Sequence, residues 1–333
     1  MFQVNLVSII IPCFNTGKYL YKLLDSILQQ DYNYVEVFAV NDGSNDNTEE
    51  VIKSYIPKFE SRGYRLTYIY QDNSGQSAAI NNGLKLVNGE FLMWPDSDDY
   101  YCDNSIISRL VKKISSGDYA MGRCRIRYVN EKDDFVRLSL LSKKLQEKNQ
   151  FDTYVFGLNG VAYPPIAYII DLKKIDTLIP NREIYTEKRA GQNWQLMMPF
   201  SYKQNCFYIE DVGACVLERA DSHSRGQFAG FDKTIEKIEV YENTILGTLD
   251  RMKTYMGEDY IEYYKRVQKA YIHGRMIVSI LHHESQKALF YMKQYKEFEH
   301  HISPLTKLAC ILCVNKYTYM IPRFLLRLTG KQL

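Results

Sequence analysis

The first 115 residues alternate short apolar runs with segments of helical periodicity, and this alternation limits the possible folds more than any other feature. Residues 7–12 form the first run and are rich in isoleucine. An unbroken β-branched run is typical of a strand that is covered on both faces. Between the runs, leucine and isoleucine recur at helical spacing, as in residues 19–28. Strands and helices that alternate at such short intervals predict an α/β fold with right-handed crossovers and a parallel sheet.

Polar residues follow each predicted strand at the same end. The four strands are expected at residues 7–12, 35–40, 66–70 and 91–94. The candidate ligand contacts at or just beyond their carboxyl ends are Pro12, Phe14, Asn15, Asp42, Ser44, residues 73–75, Asp96 and Asp98. In open sheets of this kind, ligands bind beyond the carboxyl ends of the strands. The sequence therefore predicts a binding site at this edge of the sheet.

Three carboxylates, Asp96, Asp98 and Asp99, end the fourth apolar run within four residues. A buried strand end cannot hold that much negative charge without a partner. Divalent cations such as Mn²⁺ or Mg²⁺ take carboxylate oxygens and often keep phosphate oxygens as further ligands. This cluster is the predicted meeting place of a metal ion and a diphosphate. The alternative is an acidic loop that caps a helix.

The same edge offers contacts for a nucleotide. An ionised Asp42 can accept the imide N–H of uracil or thymine, because a carboxylate is an acceptor only. Phe14 can wall the base, Asp98 can bind the metal, and Asp96 can hold the ribose or the metal. The alternative for residues 42–44 is a tight turn.

Four motifs occur in order along this half: residues 7–15, 40–48, 73–79 and 96–99. Together they resemble the family 2 glycosyltransferases. Residues 191–195 further resemble a segment of bacterial transferases of surface or capsular polysaccharides. The resemblance implies the GT-A fold, a Rossmann-like and mostly parallel sheet flanked by helices. It also implies metal-dependent, inverting transfer from a nucleotide-sugar, here a UDP-sugar.

Carried over by motif, the donor pocket would be lined by Pro12, Phe14, Asp42, Ser77, Asp96 and Asp98. The family often has an arginine that faces the diphosphate at the place of Ile80. One cationic contact is therefore missing or comes from elsewhere. Arg219 and His223 resemble a family loop in which the arginine faces the diphosphate and the histidine approaches the metal, whereas a lone loop histidine can also be merely exposed.

The second half departs from the family at the general base, which takes a proton from the acceptor hydroxyl. Where the family has Asp or Glu before an aromatic residue, this chain has Gln192, Asn193 and Trp194. Amides have no useful basicity. Either a nearby carboxylate serves, with Glu187 as the first choice, or Asn193 only orients the acceptor. The alternative is that Trp194 anchors the core and the amides cap a helix.

Two further carboxylates, Glu183 and Asp211, are weaker candidates for the base. The alternative for Glu187 is that it pairs with Lys188 or Arg189 in solvent and has no catalytic role.

The expected organisation is a catalytic domain at residues 1–226 and a mainly helical region at 227–333. Within the first, residues 1–115 would bind the nucleotide-sugar and residues 116–226 the acceptor. A net charge of +3 argues against a nucleic-acid binder. No signal peptide or spanning segment is recognisable, and the seven cysteines lack the paired spacing typical of a secreted scaffold, so a cytoplasmic location is expected.

The last 33 residues, 301–333, contain five Lys or Arg and no acidic residue, interleaved with apolar residues. This composition suits an interfacial helix on the anionic inner face of the cell membrane. The alternative is a terminal helix that packs on its own domain.

These observations predict an inverting glycosyltransferase that moves a sugar to a lipid-linked or polysaccharide acceptor. The alternative is a catalytically silent protein that binds nucleotide-sugars on the same scaffold. A dinucleotide enzyme is disfavoured, because Pro12 stands where a glycine fingerprint would begin.

Overall fold

The computed structural model describes residues 2–140, 150–158, 162–219, 230–299 and 302–313. The chain divides into two compact units. The first contains residues 1–219 together with Arg251–Tyr255, and the second contains Ala220–Asp250 and Met256–Leu333. The predicted boundary after residue 226 lies outside the described residues and stays a prediction.

The described residues of the first unit form a nine-stranded sheet. Its strands are β1 (Gln3–Cys13), β2 (Val35–Asp42), β3 (Arg65–Gln71), β4 (Gly89–Met93), β5 (Tyr100–Tyr101), β6 (Met121–Val129), β7 (Phe135–Leu138), β8 (Tyr168–Asp171) and β9 (Cys206–Leu217). They follow the order β3-β2-β1-β4-β8-β6-β9-β5, with β7 beside β6. The neighbours β3, β2, β1 and β4 are parallel, as the alternating pattern of the first half predicts.

The second half of the sheet mixes directions. β8 runs antiparallel to both β4 and β6, β9 is parallel to β6, and β5 is antiparallel to β9. β7 lies within a charged stretch of the sequence, at residues 131–150. All four of its residues are exposed, so no buried alternation marks it in the sequence.

The helices of the first unit lie between these strands. Their bounds are α1 (Gly17–Leu28), α2 (Thr48–Ser61), α3 (Gln76–Leu84), α4 (Ile106–Ser115), α5 (Phe151–Phe156), α6 (Ile175–Leu178) and α7 (Asn193–Ser201). α1 buries Leu20, Leu23, Leu24 and Ile27, which is the apolar spacing that predicts it.

A close approach fixes the position of α3 on the sheet. A Cβ atom added to Gly83 would lie 2.6 Å from the Ile10 side chain of β1. Only glycine permits this packing, because any side chain would force the helix away from the strand. The contact sets α3 on the sheet, and its first residues follow directly after β3 and its loop.

The second unit is helical in its described part. It contains most of α8 (Phe231–Met256), then α9 (Asp259–Leu281), α10 (Ser285–Phe298) and α11 (Pro304–Leu312). Its apolar cluster consists of Ile272, Met276, Ile280, Ala288, Tyr291, Ala309, Cys310 and Cys313. None of the helices in the described ranges has both the length and the apolar composition to cross a bilayer. Residues 301 and 314–333 of the tail lie outside the described residues, so its membrane contact stays a prediction.

Candidate active site at the sheet edge

The loops after β1 and β2 are tied together by polar side chains. The Asn15 N–H donates to Ser44 Oγ at 3.0 Å, and the Asn45 N–H donates to Asn15 Oδ1 at 2.8 Å. Asn15 has φ +49°, in the left-handed region that asparagine tolerates better than most residues. Phe14 is exposed beside this junction, whereas Pro12 is buried within β1. Asn15 and Ser44 thus shape the loops on which Phe14 is presented.

Asp42 lies at the end of β2 and is only 4% exposed. Its Oδ1 accepts hydrogen bonds from Gln71 Nε2 and from the Ser74 N–H, both at 2.7 Å. Its Oδ2 accepts from the Gly75 N–H at 2.9 Å. A carboxylate offers about four acceptor positions, so three are used within the protein and about one remains. Asp42 therefore orders the loop after β3, a contact that the sequence did not predict.

Asp96 meets two glutamines from distant parts of the chain. Gln192 Nε2 donates to Asp96 Oδ1 at 3.0 Å, and Gln76 Nε2 lies 3.4 Å from the same oxygen. Burial and the charge of Asp98 raise the pKa of Asp96 to about 7, although Gln192 and Arg219 act in the opposite direction. Asp96 is therefore a carboxylate whose negative charge is poorly compensated by the protein alone.

Asp98 forms an ion pair with Arg219, with 3.1 Å between Oδ2 and Nη2. The guanidinium of Arg219 also lies over the ring of Tyr19, 4.9 Å from its centroid. Arg219 was expected to face the diphosphate, and it lies beside the predicted metal ligand.

Asp99 holds the end of β9, which leads to Arg219, beside the acidic cluster. Its Oδ1 accepts a hydrogen bond from the Leu217 N–H at 3.0 Å, which joins the end of β9 to the acidic cluster. Burial, together with the charges of Asp98 and Asp96, raises the pKa of Asp99 well above its usual range. Asp99 is buried, so it serves this junction rather than a ligand.

The predicted metal site can be tested against its donors. Among the described residues, no three His, Cys, Asp or Glu side chains converge as a metal cluster, and His223 lies outside them. Asp96 and Asp98 remain as two carboxylates one residue apart. Mg²⁺-type sites commonly use one or two carboxylates and complete their shell with substrate phosphates and water. The pair fits such a cation, because the cation would offset the repulsion that raises the pKa of Asp96.

Ser77 and Asn81 of α3 hold the segment that contains Glu187. Ser77 Oγ accepts from the Glu187 N–H at 3.2 Å. Asn81 exchanges two hydrogen bonds with the backbone of Ile184, at 2.9 and 3.1 Å. Gln76, the residue before Ser77, is the one that approaches Asp96. The start of α3 therefore borders both the acidic cluster and the Glu187 segment.

The two weaker base candidates each form an ion pair with an arginine. Glu183 lies 3.5 Å from Arg251, and Asp211 lies 3.2 Å from Arg109. The contact recorded for the Glu187 carboxylate is with the Arg189 N–H at 3.5 Å, a weak interaction at that length. Among these three, Glu187 is the carboxylate without an ion pair in the described part of the chain.

Gln192, Asn193 and Gln195 surround the start of α7. Gln192 is 1% exposed and precedes the helix, but its side chain makes no capping hydrogen bond. Within the described residues, the buried atoms Gln192 Oε1, Asn193 Oδ1 and Gln195 Oε1 have no hydrogen-bond donor. Buried acceptors are usually satisfied, so these three oxygens require donors from ordered water or from a ligand.

Trp194 anchors this segment. Its Nε1 donates to the Tyr154 carbonyl at 3.1 Å, and its ring lies 5.4 Å from that of Tyr163. Gln76 and Gln195 were not among the predicted site residues. Both stand in motifs that the sequence already singled out, at residues 73–79 and beside Trp194, so the signal was present but unassigned.

Part of the chain matches a protein-family model. Residues 8–164 match the family model described as Glycosyl transferase family 2. The chain carries a family 2 glycosyltransferase domain. The predicted family and the predicted class of enzyme, a glycosyltransferase, are confirmed at this level.

A curated relative and two solved structures agree with this assignment. Glycosyltransferase GlyA of Streptococcus pneumoniae is 34% identical over 152 residues, which are 45% of this chain and 21% of GlyA. The chain therefore spans about a fifth of the length of that relative.

The two structures resemble this chain in fold. S. aureus TarS 1-349, in complex with UDP-GlcNAc, has a TM-score of 0.54 at 15% identity, covering 89% of this chain and 90% of the TarS 1-349 chain. The mannosyltransferase PcManGT of Pyrobaculum calidifontis, with GDP-Man and Mn²⁺, has a TM-score of 0.51 at 13% identity, covering 98% and 86%. At such identities the likeness shows the fold alone, and it agrees with the predicted GT-A architecture.

Proposed function

We propose that the first unit transfers a sugar, with inversion, from a UDP-sugar to a hydroxyl group of a saccharide or lipid-linked acceptor in surface polysaccharide synthesis. The observation that carries this proposal is the meeting of Asp96, Asp98, Gln192 and Arg219 at the carboxyl edge of the sheet. Two structures of the same fold were solved with UDP-GlcNAc and with GDP-Man; both support a nucleotide-sugar donor, and the first supports a UDP-sugar.

The donor half of the site has assigned roles. Phe14 walls the base, and Asp42 accepts the uracil imide N–H with its remaining acceptor position. Asp96 and Asp98 would hold Mn²⁺ or Mg²⁺, and this ion would neutralise charge on the diphosphate leaving group. Arg219 donates to diphosphate oxygens. Ile80 is apolar and fully buried, and in this proposal Arg219 takes the place of the family arginine.

The acceptor half uses the amides and Glu187. The unsatisfied oxygens of Gln192, Asn193 and Gln195 accept hydrogen bonds from acceptor hydroxyls. Glu187 takes the proton of the attacking hydroxyl as that oxygen bonds to the anomeric carbon of the donor. The bond from the anomeric carbon to the diphosphate breaks, and its electron pair leaves with the diphosphate. Attack from the face opposite the leaving group inverts the anomeric configuration.

The proposal is tested first by donor binding. Calorimetry should show UDP binding that depends on Mn²⁺, with GDP as the comparison nucleotide. Asp98→Asn should abolish the Mn²⁺-dependent part, because it removes one of two carboxylate ligands. Asp118→Asn is the matched control, since Asp118 is exposed and pairs with Lys174 outside the site. Equal UDP affinity in the Asp98 variant would exclude this metal assignment.

The second candidate is a silent nucleotide-sugar-binding protein. The amides at residues 192 and 193 favour it, because neither can act as a base. Incubation with a panel of UDP-sugars separates the candidates. Release of UDP with transfer to an acceptor supports the enzyme, whereas tight binding without hydrolysis or transfer supports the silent protein.

A further inference from the structure

The second unit contains a cavity that the transfer site does not use. It has a volume of about 390 Å³ and is open to solvent. Its lining residues come from α8, α9 and α10, and they are Glu239, Glu242, Asn243, Arg275, Phe290, Tyr291 and Gln294. Small-molecule sites usually occupy about 300–1,000 Å³, so the cavity can take a ligand of a few rings at most.

A largely buried ion pair is among the residues that line the cavity. Arg275 of α9 bonds to Glu242 of α8, and their side chains are 11% and 12% exposed. The Arg275 guanidinium also lies 5.7 Å from the centre of the Tyr291 ring. Burying such a pair costs hydration that its attraction barely offsets, so an apolar pair would stabilise the helices as well. Stability alone therefore does not account for charges at this position.

The rim combines an aromatic ring with polar side chains. Phe290 is 53% exposed, although it is a large apolar residue, and its ring lies 5.3 Å from that of Tyr291. Glu239 and Asn243 are exposed on α8, and Gln294 is partly exposed on α10. An aromatic face is thus presented to solvent beside carboxylate and amide groups.

We propose that this cavity binds a saccharide. Carboxylate, guanidinium and carboxamide groups are planar and can each bond two neighbouring hydroxyls, while an aromatic ring covers the C–H face of a sugar. The lining contains two carboxylates, Glu239 and Glu242, and one guanidinium, Arg275, so its net negative charge disfavours an anionic ligand. The ion pair disfavours a purely apolar ligand. The inference rests on the proposed function in one respect: the saccharide is of the same chemical class as the proposed acceptor.

Binding is tested on the full chain without donor. Saturation-transfer NMR is run with glucose, galactose, N-acetylglucosamine and a short oligosaccharide of each. Phe290→Ala and Glu239→Gln should each lower the affinity for the saccharide at least tenfold. Both residues are exposed, so the fold should persist. Leu289→Ala is the matched control, because Leu289 is 41% exposed on the same helix but does not line the cavity.

The outcomes separate this site from the transfer site. Binding of UDP with Mn²⁺ should be equal in all three variants and the wild type. If UDP does not bind but the saccharide effect persists, the proposed function fails and the cavity site stands. Absence of binding by every saccharide, or equal binding by the Phe290 variant, overturns the inference. Tetramethylammonium binding in place of sugars would also overturn it and identify a cation site.

Discussion

Asp42→Asn is the sharpest perturbation of the donor site. The substitution keeps the size of a side chain that is almost fully buried, but it turns one acceptor oxygen into an NH₂ donor. In one orientation the Gly75 N–H loses its acceptor; in the other, Gln71 and the Ser74 N–H lose theirs. Every orientation therefore leaves at least one donor facing another donor.

The cost follows from these bonds. An orphaned buried N–H costs about 1–3 kcal/mol, and bonds to a charged acceptor are worth more than bonds to a neutral one. With one orphan and two weakened bonds, we expect the free energy of unfolding to fall by about 2–4 kcal/mol. UDP should bind roughly 10- to 150-fold more weakly, which corresponds to a loss of about 1.5–3 kcal/mol for one charge-assisted bond.

The assay can address the first unit selectively. The chain has two tryptophans, Trp94 and Trp194, and both belong to that unit. Tryptophan fluorescence in a urea titration therefore reports its unfolding, and calorimetry reports UDP affinity. Asp103→Asn is the control, because Asp103 accepts from Ser105 and Arg109 at the start of α4, away from the predicted nucleotide contacts. It should lose stability but keep UDP affinity.

Two results would refute the reasoning in different ways. An Asp42 variant whose unfolding free energy stays within about 1 kcal/mol of the wild type would mean that the carboxylate does not order the loop after β3. An unchanged UDP affinity would place the base elsewhere, even if the variant is destabilised.

Three further predictions concern other parts of the chain. The folded-state pKa of Asp96 is raised from 3.8 to about 7, so the folded protein binds a proton that the unfolded chain has already released between about pH 4 and 7. The free energy of unfolding of the metal-free first unit should therefore fall over this range, by a few kcal/mol at most. Asp96→Asn should flatten this pH dependence in urea titrations. Glu187→Gln should lower the transfer rate by about 10²–10⁴ with UDP affinity kept, and a rate within a few-fold of wild type would sink the assignment. Removal of residues 301–333 should release the protein from anionic liposomes at low salt, and full-length protein that fails to sediment with them would contradict the predicted contact.

The first half of the fold is readable from the sequence because its signals are local. The buried β-branched runs and the helical spacing of α1 each depend on residues within one element. The second half is harder. β7 has four exposed residues, and β8 is a four-residue strand placed between β4 and β6 by contacts distant in sequence. No period within such short segments distinguishes them from loops.

The candidate site is readable to a similar degree. The acidic cluster and Asp42 are marked by their position after strands. Their partners cannot be read from the sequence. The hydrogen bond from Gln192 to Asp96 joins residues 96 positions apart, and the ion pair of Arg219 with Asp98 depends on where β9 ends. The role of Asp42 in ordering residues 74 and 75 is likewise a tertiary property.

The departure at residues 192 and 193 has a physical rationale in this geometry. Asp96 already carries a raised pKa because of burial and the charge of Asp98. A carboxylate in place of Gln192 would add a further negative charge at about 3 Å and raise that pKa more. The amide instead donates a hydrogen bond, which favours the ionised form of Asp96 that a cation requires. A chain that uses Gln192 in this way would need its base from another residue. The proposed base, Glu187, is tied through its N–H to Ser77 at the start of α3, next to Gln76, which approaches the same cluster.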